Sequence, residues 1–262
     1  MGGGHRRRLP EGRAQILNAG KTIPKIGLVL LQTMPHGGIP AGRSMAKPAG
    51  MTTPCTGVIL AGGLSRRFSG QNKALMDVGG QRIIDRLLAV YRPIFDEIII
   101  VTNDPRAYLD LDAAIVTDIF PYRSSLTGIH AGLFHATRPY AFFAACDAPF
   151  LLPGMVHRIL DAISPGVDGV VPQTAMGFEP LCAVYSRRCC ETIGRRLKKQ
   201  HFQIKGVFNK LRIRTLSEKS LRQQDPELRS FFNINTPDDL ARAREIAASL
   251  ETPIPGDAPR AF

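Results

Sequence analysis

Short apolar runs alternate with amphipathic stretches from about residue 56 to residue 250. The apolar runs have the length of strands and cover residues 57–61, 97–101, 113–117, 140–145, 169–171 and 182–185. Segments with apolar residues at helical spacing lie between them and cover residues 83–91, 128–136, 153–164 and 187–199. This alternation predicts an α/β fold, a single Rossmann-like domain of three layers in which helices cover both faces of a mainly parallel sheet.

Two elements have especially clear local signals. Ile98 to Val101 is a run of four β-branched residues, which is typical of a buried strand. The last helix has Thr236 as its predicted N-cap, Pro237 at its first position and Asp239 three residues after the cap. We expect this helix to end near residue 250, because the prolines that follow cannot continue it.

The two ends of the chain lack such patterns. Residues 1–53 show no sustained period and are interrupted by glycine and proline, so we interpret them as a basic, disordered extension. The alternative is upstream sequence translated from a wrong start, with Met45 or Met51 as the true beginning. Residues 54–250 form the predicted domain, and residues 251–262 form a proline-rich tail.

Most of the positive charge lies in the extension. The formal net charge is +12, and the first fifty residues supply +7 of it from eight Lys/Arg against one Glu. The rest of the chain is near neutral and the extension has no interleaved aromatic residues, so we expect no nucleic-acid partner.

The aliphatic run 26–31 is too short for a membrane span. Five cysteines without a C-x-x-C pair indicate reduced thiols in a cytoplasmic protein.

The first strand leads into a loop that contains glycine and cations. Residues 56–73 have the sequence T-G-V-I-L-A-G-G-L-S-R-R-F-S-G-Q-N-K. A backbone without Cβ can approach a polyphosphate and turn its N–H groups toward the oxygens, and cations neutralise the charge. The spacing fits neither G-x-x-x-x-G-K-[ST] nor G-x-G-x-x-G. The loop is therefore predicted to bind phosphate in another way, and a simple turn with solvated cations is the alternative.

Polar residues also follow three later strands. Asn103, Asp118 and Asp147 each lie one or two residues after a predicted strand, and the carboxyl ends of parallel strands meet at one edge of a sheet. Mg²⁺ commonly takes one or two carboxylates together with substrate phosphates, so Asp147 is the candidate metal ligand. The side-chain oxygens of Asn103 and Asp118 can accept hydrogen bonds from a nucleotide, and the sequence leaves open which of the two residues meets the base and which the ribose. A role in turns is the alternative for all three residues.

Together these motifs resemble those of the molybdenum cofactor guanylyltransferases, which are sugar-nucleotide pyrophosphorylase-like nucleotidyltransferases. The string L-A-G-G with Arg67 and Lys73 after it resembles their first loop. The C-D-x-P string at Asp147 resembles their metal-binding motif, and N-I-N-T-P-D-D-L at residues 233–240 resembles a third segment. The resemblance covers about residues 55 to 248, and it implies a fold of the nucleotide-diphospho-sugar transferase type.

The resemblance implies a role for each matching residue. Nucleotide binding is implied for Leu60, Ala61, Gly62, Gly63, Lys73, Asn103, Asp118 and Asp147. Catalysis is implied for Arg67, Lys73 and Asp147, with Asp147 as the Mg²⁺ ligand, and acceptor binding for Asn233 and Asn235. Because the two asparagines alternate around Ile234, we expect their side chains on the same side of an extended segment.

The implied reaction is a Mg²⁺-dependent transfer of GMP from GTP to the phosphate of molybdopterin, with release of pyrophosphate. We expect an enzyme of the cytoplasm without a membrane partner, which serves cofactor-insertion proteins and molybdoenzymes. Two alternatives remain. One is a related nucleotidyltransferase, either a cytidylyltransferase for the same cofactor or a sugar-phosphate enzyme. The other is a non-catalytic GTP-binding protein that retains the fold.

Overall fold

The computed structural model describes residues 54–63, 68 and 71–251. The predicted extension 1–53, the residues after 251 and the loop residue Arg67 lie outside this range. The strands are β1 (Cys55–Leu60), β2 (Asp77–Val78), β3 (Gln81–Arg82), β4 (Ile98–Val101), β5 (Ala114–Val116), β6 (Tyr140–Ala145), β7 (Gly169–Thr174), β8 (Gly177–Phe178), β9 (Cys182–Ser186) and β10 (Ile213–Ser217). The helices are α1 (Ile83–Tyr91), α2 (Ser125–His135), α3 (Pro153–Leu160), α4 (Cys189–Lys198), α5 (Lys205–Phe208), α6 (Glu218–Leu221) and α7 (Pro237–Glu251).

The main sheet is mixed but mostly parallel. Its strand order is β10-β7-β9-β6-β1-β4-β5, and β8 pairs with β7. Strands β6, β1, β4 and β5 run parallel to one another, and β10 is parallel to β7. Strand β9 is antiparallel to both β6 and β7. The prediction of a mainly parallel sheet is confirmed, and the sequence pattern did not reveal the antiparallel strand in its middle.

Helices cover both faces of this sheet. The core on one face includes the buried side chains of α1, α3 and α7, and the core on the other face includes those of α2, α4 and α5. The predicted three-layer arrangement is therefore confirmed. No helix in the described part of the chain combines the length and the apolar character needed to cross a lipid bilayer.

The predicted boundaries hold best where a local signal marks them. Helix α1 and strand β6 have the predicted bounds. Helix α2 begins three residues earlier than predicted, because the Ser124 hydroxyl caps it by accepting a hydrogen bond from the Thr127 N–H at 3.1 Å. Helix α3 ends four residues early, at Leu160. Pro165 disfavours helical backbone at Ser164, which explains why the apolar pattern overestimated this helix.

The capping pattern before α7 is confirmed. The Thr236 hydroxyl accepts a hydrogen bond from the Asp239 N–H at 3.2 Å, and the Asp239 carboxylate accepts one from the Thr236 N–H at 2.8 Å. The helix continues through Glu251, one residue past the predicted boundary. Strand β10 was not predicted, because it is an edge strand with mostly polar or half-exposed residues and has no continuous apolar run.

We predict that Gly132→Ala destabilises the protein, because helix α2 packs closely against the sheet at this position. An added Cβ would lie 2.7 Å from the Phe143 ring and 2.8 Å from a Val58 methyl, and both side chains are fully buried. Overpacking of a core costs about 1–3 kcal/mol. This cost exceeds the roughly 1 kcal/mol that alanine gains over glycine inside a helix. Urea unfolding of the variant measures the difference.

The matched control is Gly128→Ala in the same helix. Its Cβ would lie 3.1 Å from the end of the flexible Leu60 side chain, so we expect no loss of stability. Equal free energies of unfolding for wild type and Gly132→Ala would contradict the close packing of this helix.

Candidate active site

The register of three neighbouring strands brings their ends to one edge of the sheet. Leu60, the last residue of β1, pairs with Val101 at the end of β4 and with Ala145 at the end of β6. All three strands are parallel, so the chain leaves each of them in the same direction. The residues that follow these ends include Gly62, Asn103 and Asp147. This register explains why motifs separated by more than forty residues in sequence meet at one place.

A cavity of about 300 Å³ opens at this edge. Its lining includes seven of the residues predicted to bind the nucleotide, namely Leu60, Ala61, Gly62, Gly63, Lys73, Asp118 and Asp147. The eighth predicted residue, Asn103, is outside this lining but is hydrogen-bonded to the lining residue Asp118. The predicted catalytic residue Arg67 lies outside the described residues.

Lys73 and Asp147 face each other across the base of this cavity. The Lys73 Nζ lies 3.8 Å from the Asp147 Oδ2, and the two side chains are 16% and 25% exposed, so the pair is shielded but reachable. Burial raises the pKa of the Asp147 carboxyl above its usual value, although the charge of Lys73 acts to lower it. The carboxylate is therefore underneutralised in the protein alone, and a further cation next to it would be favourable.

Ile234 connects this pair to the segment before α7. Its N–H donates to the carbonyl oxygen of Asp147 at 2.8 Å, and its own carbonyl oxygen accepts a hydrogen bond from the Lys73 Nζ at 2.7 Å. The Ile234 side chain is fully buried in the core. One residue thus fixes the loop after β1, the end of β6 and the segment 233–235 relative to each other.

Asn103 and Asp118 form a hydrogen-bonded pair at the other side of the cavity. The Asn103 Nδ2 donates to the Asp118 Oδ2 at 3.0 Å, while the buried Asp118 Oδ1 has no hydrogen-bond partner among the described residues. Burial raises the pKa of Asp118, and the bond from Asn103 and the charge of Arg123 act in the opposite direction. Gly62 allows the Asn103 amide to come close, since a Cβ at this glycine would lie 3.2 Å from the Nδ2. Asn103 thereby orients a carboxylate that keeps an unused acceptor.

A second cavity of about 260 Å³ adjoins the first. Both cavities are lined by Ala145, Asp147 and Leu181, so Asp147 stands where they meet. Asn233 and Asn235 line the second cavity, which agrees with the expectation that their side chains share one side of the segment. The Asn235 Oδ1 lies 3.5 Å from the Lys73 Nζ.

Sequence reasoning gave no role to the residues that hold Lys73 in place. The Asn72 Oδ1 caps the short 3-10 turn Lys73–Leu75 by accepting from the Ala74 N–H at 3.1 Å. The Asn72 Nδ2 donates to the Tyr108 hydroxyl at 2.8 Å, and that hydroxyl lies 3.4 Å from the Ala61 carbonyl oxygen. Tyr108 is fully buried, and burial raises its pKa to about 12. The sequence signals Asn72 as a cap before Lys73, but no sequence pattern indicates that Asn72 is hydrogen-bonded to Tyr108.

The start of α2 also forms part of the site, although the sequence pattern placed the start of this helix three residues later. Arg123, Ser124 and Ser125 line the first cavity, together with Gly128 one turn further along the helix. The first turn of a helix presents N–H groups and a positive dipole, so this edge of the cavity favours negative charge. The Ser124 cap signal could have placed the helix start here, since Ser precedes the apolar helical pattern by a few residues.

The donor groups present fit a metal that shares its coordination with a substrate. Among the described residues, no group of three or more His, Cys, Asp and Glu side chains is arranged to hold a metal by itself. Asp147 offers a single carboxylate with an elevated pKa beside a polar cavity. A hard cation such as Mg²⁺ is commonly bound in this way, by one or two carboxylates and the phosphates of its substrate.

Comparison with known proteins identifies the family. A model of the MobA-like NTP transferase domain matches residues 57–214. The chain is 51% identical over 188 residues to the molybdenum cofactor guanylyltransferase of Desulfosudis oleivorans, covering 72% of this chain and 93% of that protein. It is 37% identical to a probable molybdenum cofactor guanylyltransferase of Pelotomaculum thermopropionicum, covering 75% and 95%.

A solved structure agrees with the sequence comparison. The fold is similar to that of molybdopterin-guanine dinucleotide biosynthesis protein A from Archaeoglobus fulgidus, with a TM-score of 0.66 and 31% identity, over 74% of this chain and 99% of that one. The residues 57–214 that match the family model include Gly62, Lys73 and Asp147, which line the first cavity. The chain belongs to the family of MobA-like NTP transferases.

Proposed function

We propose that this protein transfers GMP from GTP to the terminal phosphate of molybdopterin and releases pyrophosphate. The observation that carries the proposal is the position of Asp147, which lines both adjoining cavities and lies 3.8 Å from the Lys73 Nζ. A nucleotide in the first cavity and an acceptor in the second would meet at this residue. The names of the relatives, which are guanylyltransferases of the molybdenum cofactor, supply the two substrates.

The first cavity offers suitable groups for GTP. Glycines 62 and 63 let the backbone approach the phosphates, and Lys73 supplies a positive charge at their end. Asp118 lines this cavity, and its carboxylate is proposed to accept hydrogen bonds from the ring N–H and the amine of guanine. Adenine does not present this pair of donors, so the carboxylate favours guanine.

The chemical step needs positioning and charge stabilisation. A phosphate oxygen of the acceptor attacks the α-phosphorus of GTP, the bond to the bridging oxygen of pyrophosphate breaks, and that oxygen keeps the electron pair. The attacking phosphate is already anionic near neutral pH, so the step requires no general base. Lys73 stabilises the charge on the departing pyrophosphate. Asp147 would hold Mg²⁺, which supplies positive charge to the phosphates when bound. Arg67, which belongs to the same loop in the sequence, is proposed to assist Lys73.

The alternatives have weaker support. The relatives described above carry names for guanylyl transfer, so the comparisons do not favour a cytidylyltransferase or a sugar-phosphate enzyme. We propose a location in the reducing cytoplasm, with which the five free thiols are compatible. The product would then pass to cofactor-insertion proteins and molybdoenzymes.

Pyrophosphate release by the purified protein tests the proposal. We expect release that requires Mg²⁺, GTP and molybdopterin together, and much less with ATP, CTP or UTP or with sugar phosphates as acceptors. Asp147→Asn should reduce kcat by about 10²-fold or more, because it removes the charge that holds the metal at the meeting point of the cavities. Binding of GTP without pyrophosphate release under any acceptor would instead support a non-catalytic role.

The same variant should be more stable than wild type at neutral pH. The pKa of Asp147 is raised in the folded protein, so its charge opposes folding at a pH above that pKa. Asp147→Asn removes this charge, and Lys73 keeps its hydrogen bond to the Ile234 carbonyl oxygen. The gain should shrink as the pH falls through the raised folded-state pKa and disappear below the unfolded-state pKa, where the wild-type carboxyl is neutral in both states. Thermal unfolding from about pH 3 to about pH 8 measures it.

Asp168→Asn is the matched control, and we expect it to lower the stability at neutral pH rather than raise it. Burial acts to raise the pKa of Asp168, but hydrogen bonds from Arg212 and the charges of Arg212 and Arg188 lower it overall. Its charge therefore stabilises the fold at neutral pH, and this contribution is lost as the pH falls through its lowered pKa. A loss of stability at neutral pH in both variants would refute the electrostatic assignment of Asp147.

Asp118→Asn should weaken the preference for guanine. An amide offers one acceptor and introduces a donor, so it loses one of the two hydrogen bonds to the base and tolerates adenine better. We expect the ratio of kcat/KM for GTP over ATP to fall by about 10- to 100-fold. Asp104→Asn on the exposed loop after β4 is the control and should leave the ratio unchanged. An unchanged ratio in Asp118→Asn would show that another residue selects the base.

A further inference from the structure

The second cavity carries a charged residue that the proposed mechanism does not use. Apart from Asp147, the carboxylate among the described residues that line it is that of Glu179. The rest of the lining is apolar or uncharged and includes Leu151, Ile204 and Phe231. An acidic group in such a wall disfavours a second phosphate and favours a neutral or cationic ligand that offers N–H donors.

Two contacts fix Glu179 in this wall. Its N–H donates to the carbonyl oxygen of Pro172 at 2.9 Å, which anchors the backbone to strand β7. The Thr174 hydroxyl donates to the Glu179 Oε1 at 3.2 Å. The described residues donate no hydrogen bond to the Oε2. The carboxylate is thus oriented by a neutral group and keeps acceptor capacity on both oxygens.

The surrounding residues neutralise the negative charge of Glu179 only in part. Glu179 is half-buried, and burial raises its pKa, while the bond from Thr174 and the charge of Lys205 lower it. Lys205 is exposed and its Nζ lies 5.9 Å from the centre of the Phe178 ring. A ligand that gives two N–H groups to Glu179 would replace the hydration that burial removes.

We infer that Glu179 selects the acceptor by binding the 2-amino edge of its pterin ring. This inference rests on the proposed function, in which the acceptor occupies the second cavity with its phosphate at Asp147. A pterin presents a ring N–H and an exocyclic amine side by side, the same pair of donors that guanine presents. A carboxylate accepts from both donors at once, whereas a pteridine with a 2-oxo group would place an oxygen against it. Glu179 is therefore a specificity residue for the ring, separate from the phosphate-binding groups.

The test compares two fluorescent probes on the full-length protein, 6-hydroxymethylpterin phosphate and the corresponding lumazine phosphate, whose 2-amino group is replaced by oxygen. Dissociation constants come from the change in pteridine fluorescence. We expect wild type to bind the pterin about 10- to 100-fold more tightly than the lumazine. Glu179→Gln should reduce this ratio to about one, because the amide can donate to the 2-oxo group as well as accept from the amine.

Glu218→Gln is the matched control. The Glu218 carboxylate accepts a hydrogen bond from the Ala175 N–H at 2.6 Å, next to Thr174, but Glu218 does not line the second cavity. This variant should keep the wild-type ratio, and thermal unfolding checks that both variants fold. The inference is overturned if Glu179→Gln keeps the ratio, if both variants lose it equally, or if wild type binds neither probe.

Pyrophosphate release by wild type with GTP and molybdopterin separates this inference from the function on which it rests. Release together with a ratio that does not depend on Glu179 would overturn the inference alone. Absence of release would overturn the proposed function and the inference with it. Release together with a ratio that falls in Glu179→Gln supports both.

Discussion

The two hydrogen bonds of Ile234 hold the candidate active site together. Its N–H binds the Asp147 carbonyl oxygen and its carbonyl oxygen binds the Lys73 ammonium, while its side chain is buried in the core. Hydrogen bonds that involve a charged partner are stronger than those between neutral groups. Because the Ile234 side chain cannot leave the core without exposing apolar surface, the positions of Lys73, Asp147 and the two neighbouring asparagines are tied to the stability of the domain.

The electrostatics of Asp147 are compatible with the proposed cation. Lys73 is close enough to attract the carboxylate, but it is also hydrogen-bonded to Ile234 and leaves the pKa of Asp147 elevated. The protein alone therefore keeps a charge that it does not fully compensate, and a bound metal together with substrate phosphates would balance it. Functional sites often contain groups that are unfavourable for stability, because binding requires unused capacity before the ligand arrives.

Asp118 and Glu179 follow the same physical pattern on the two sides of Asp147. Each carboxylate is half-buried and has a neutral hydrogen-bond donor, Asn103 for Asp118 and Thr174 for Glu179. A neutral donor orients a carboxylate without cancelling its charge, so the oxygens still attract N–H groups. An arginine in the place of either donor would have neutralised the carboxylate and occupied both of its oxygens. This choice of partners suits two ligands whose rings both present adjacent N–H donors.

The sequence by itself determined the layered α/β fold and the capped start of α7, and it marked Gly62, Lys73 and Asp147 as candidate site residues, because each depends on local pattern, turn chemistry or a short motif. Only the tertiary structure decided that Lys73 meets Ile234, 161 residues further along the chain, and that Glu179 faces a cavity beside Asp147. It also placed the antiparallel strand β9 and the mostly polar edge strand β10. Such contacts depend on the order of the strands and on how residues far apart in sequence pack together. A local sequence pattern does not specify either of these.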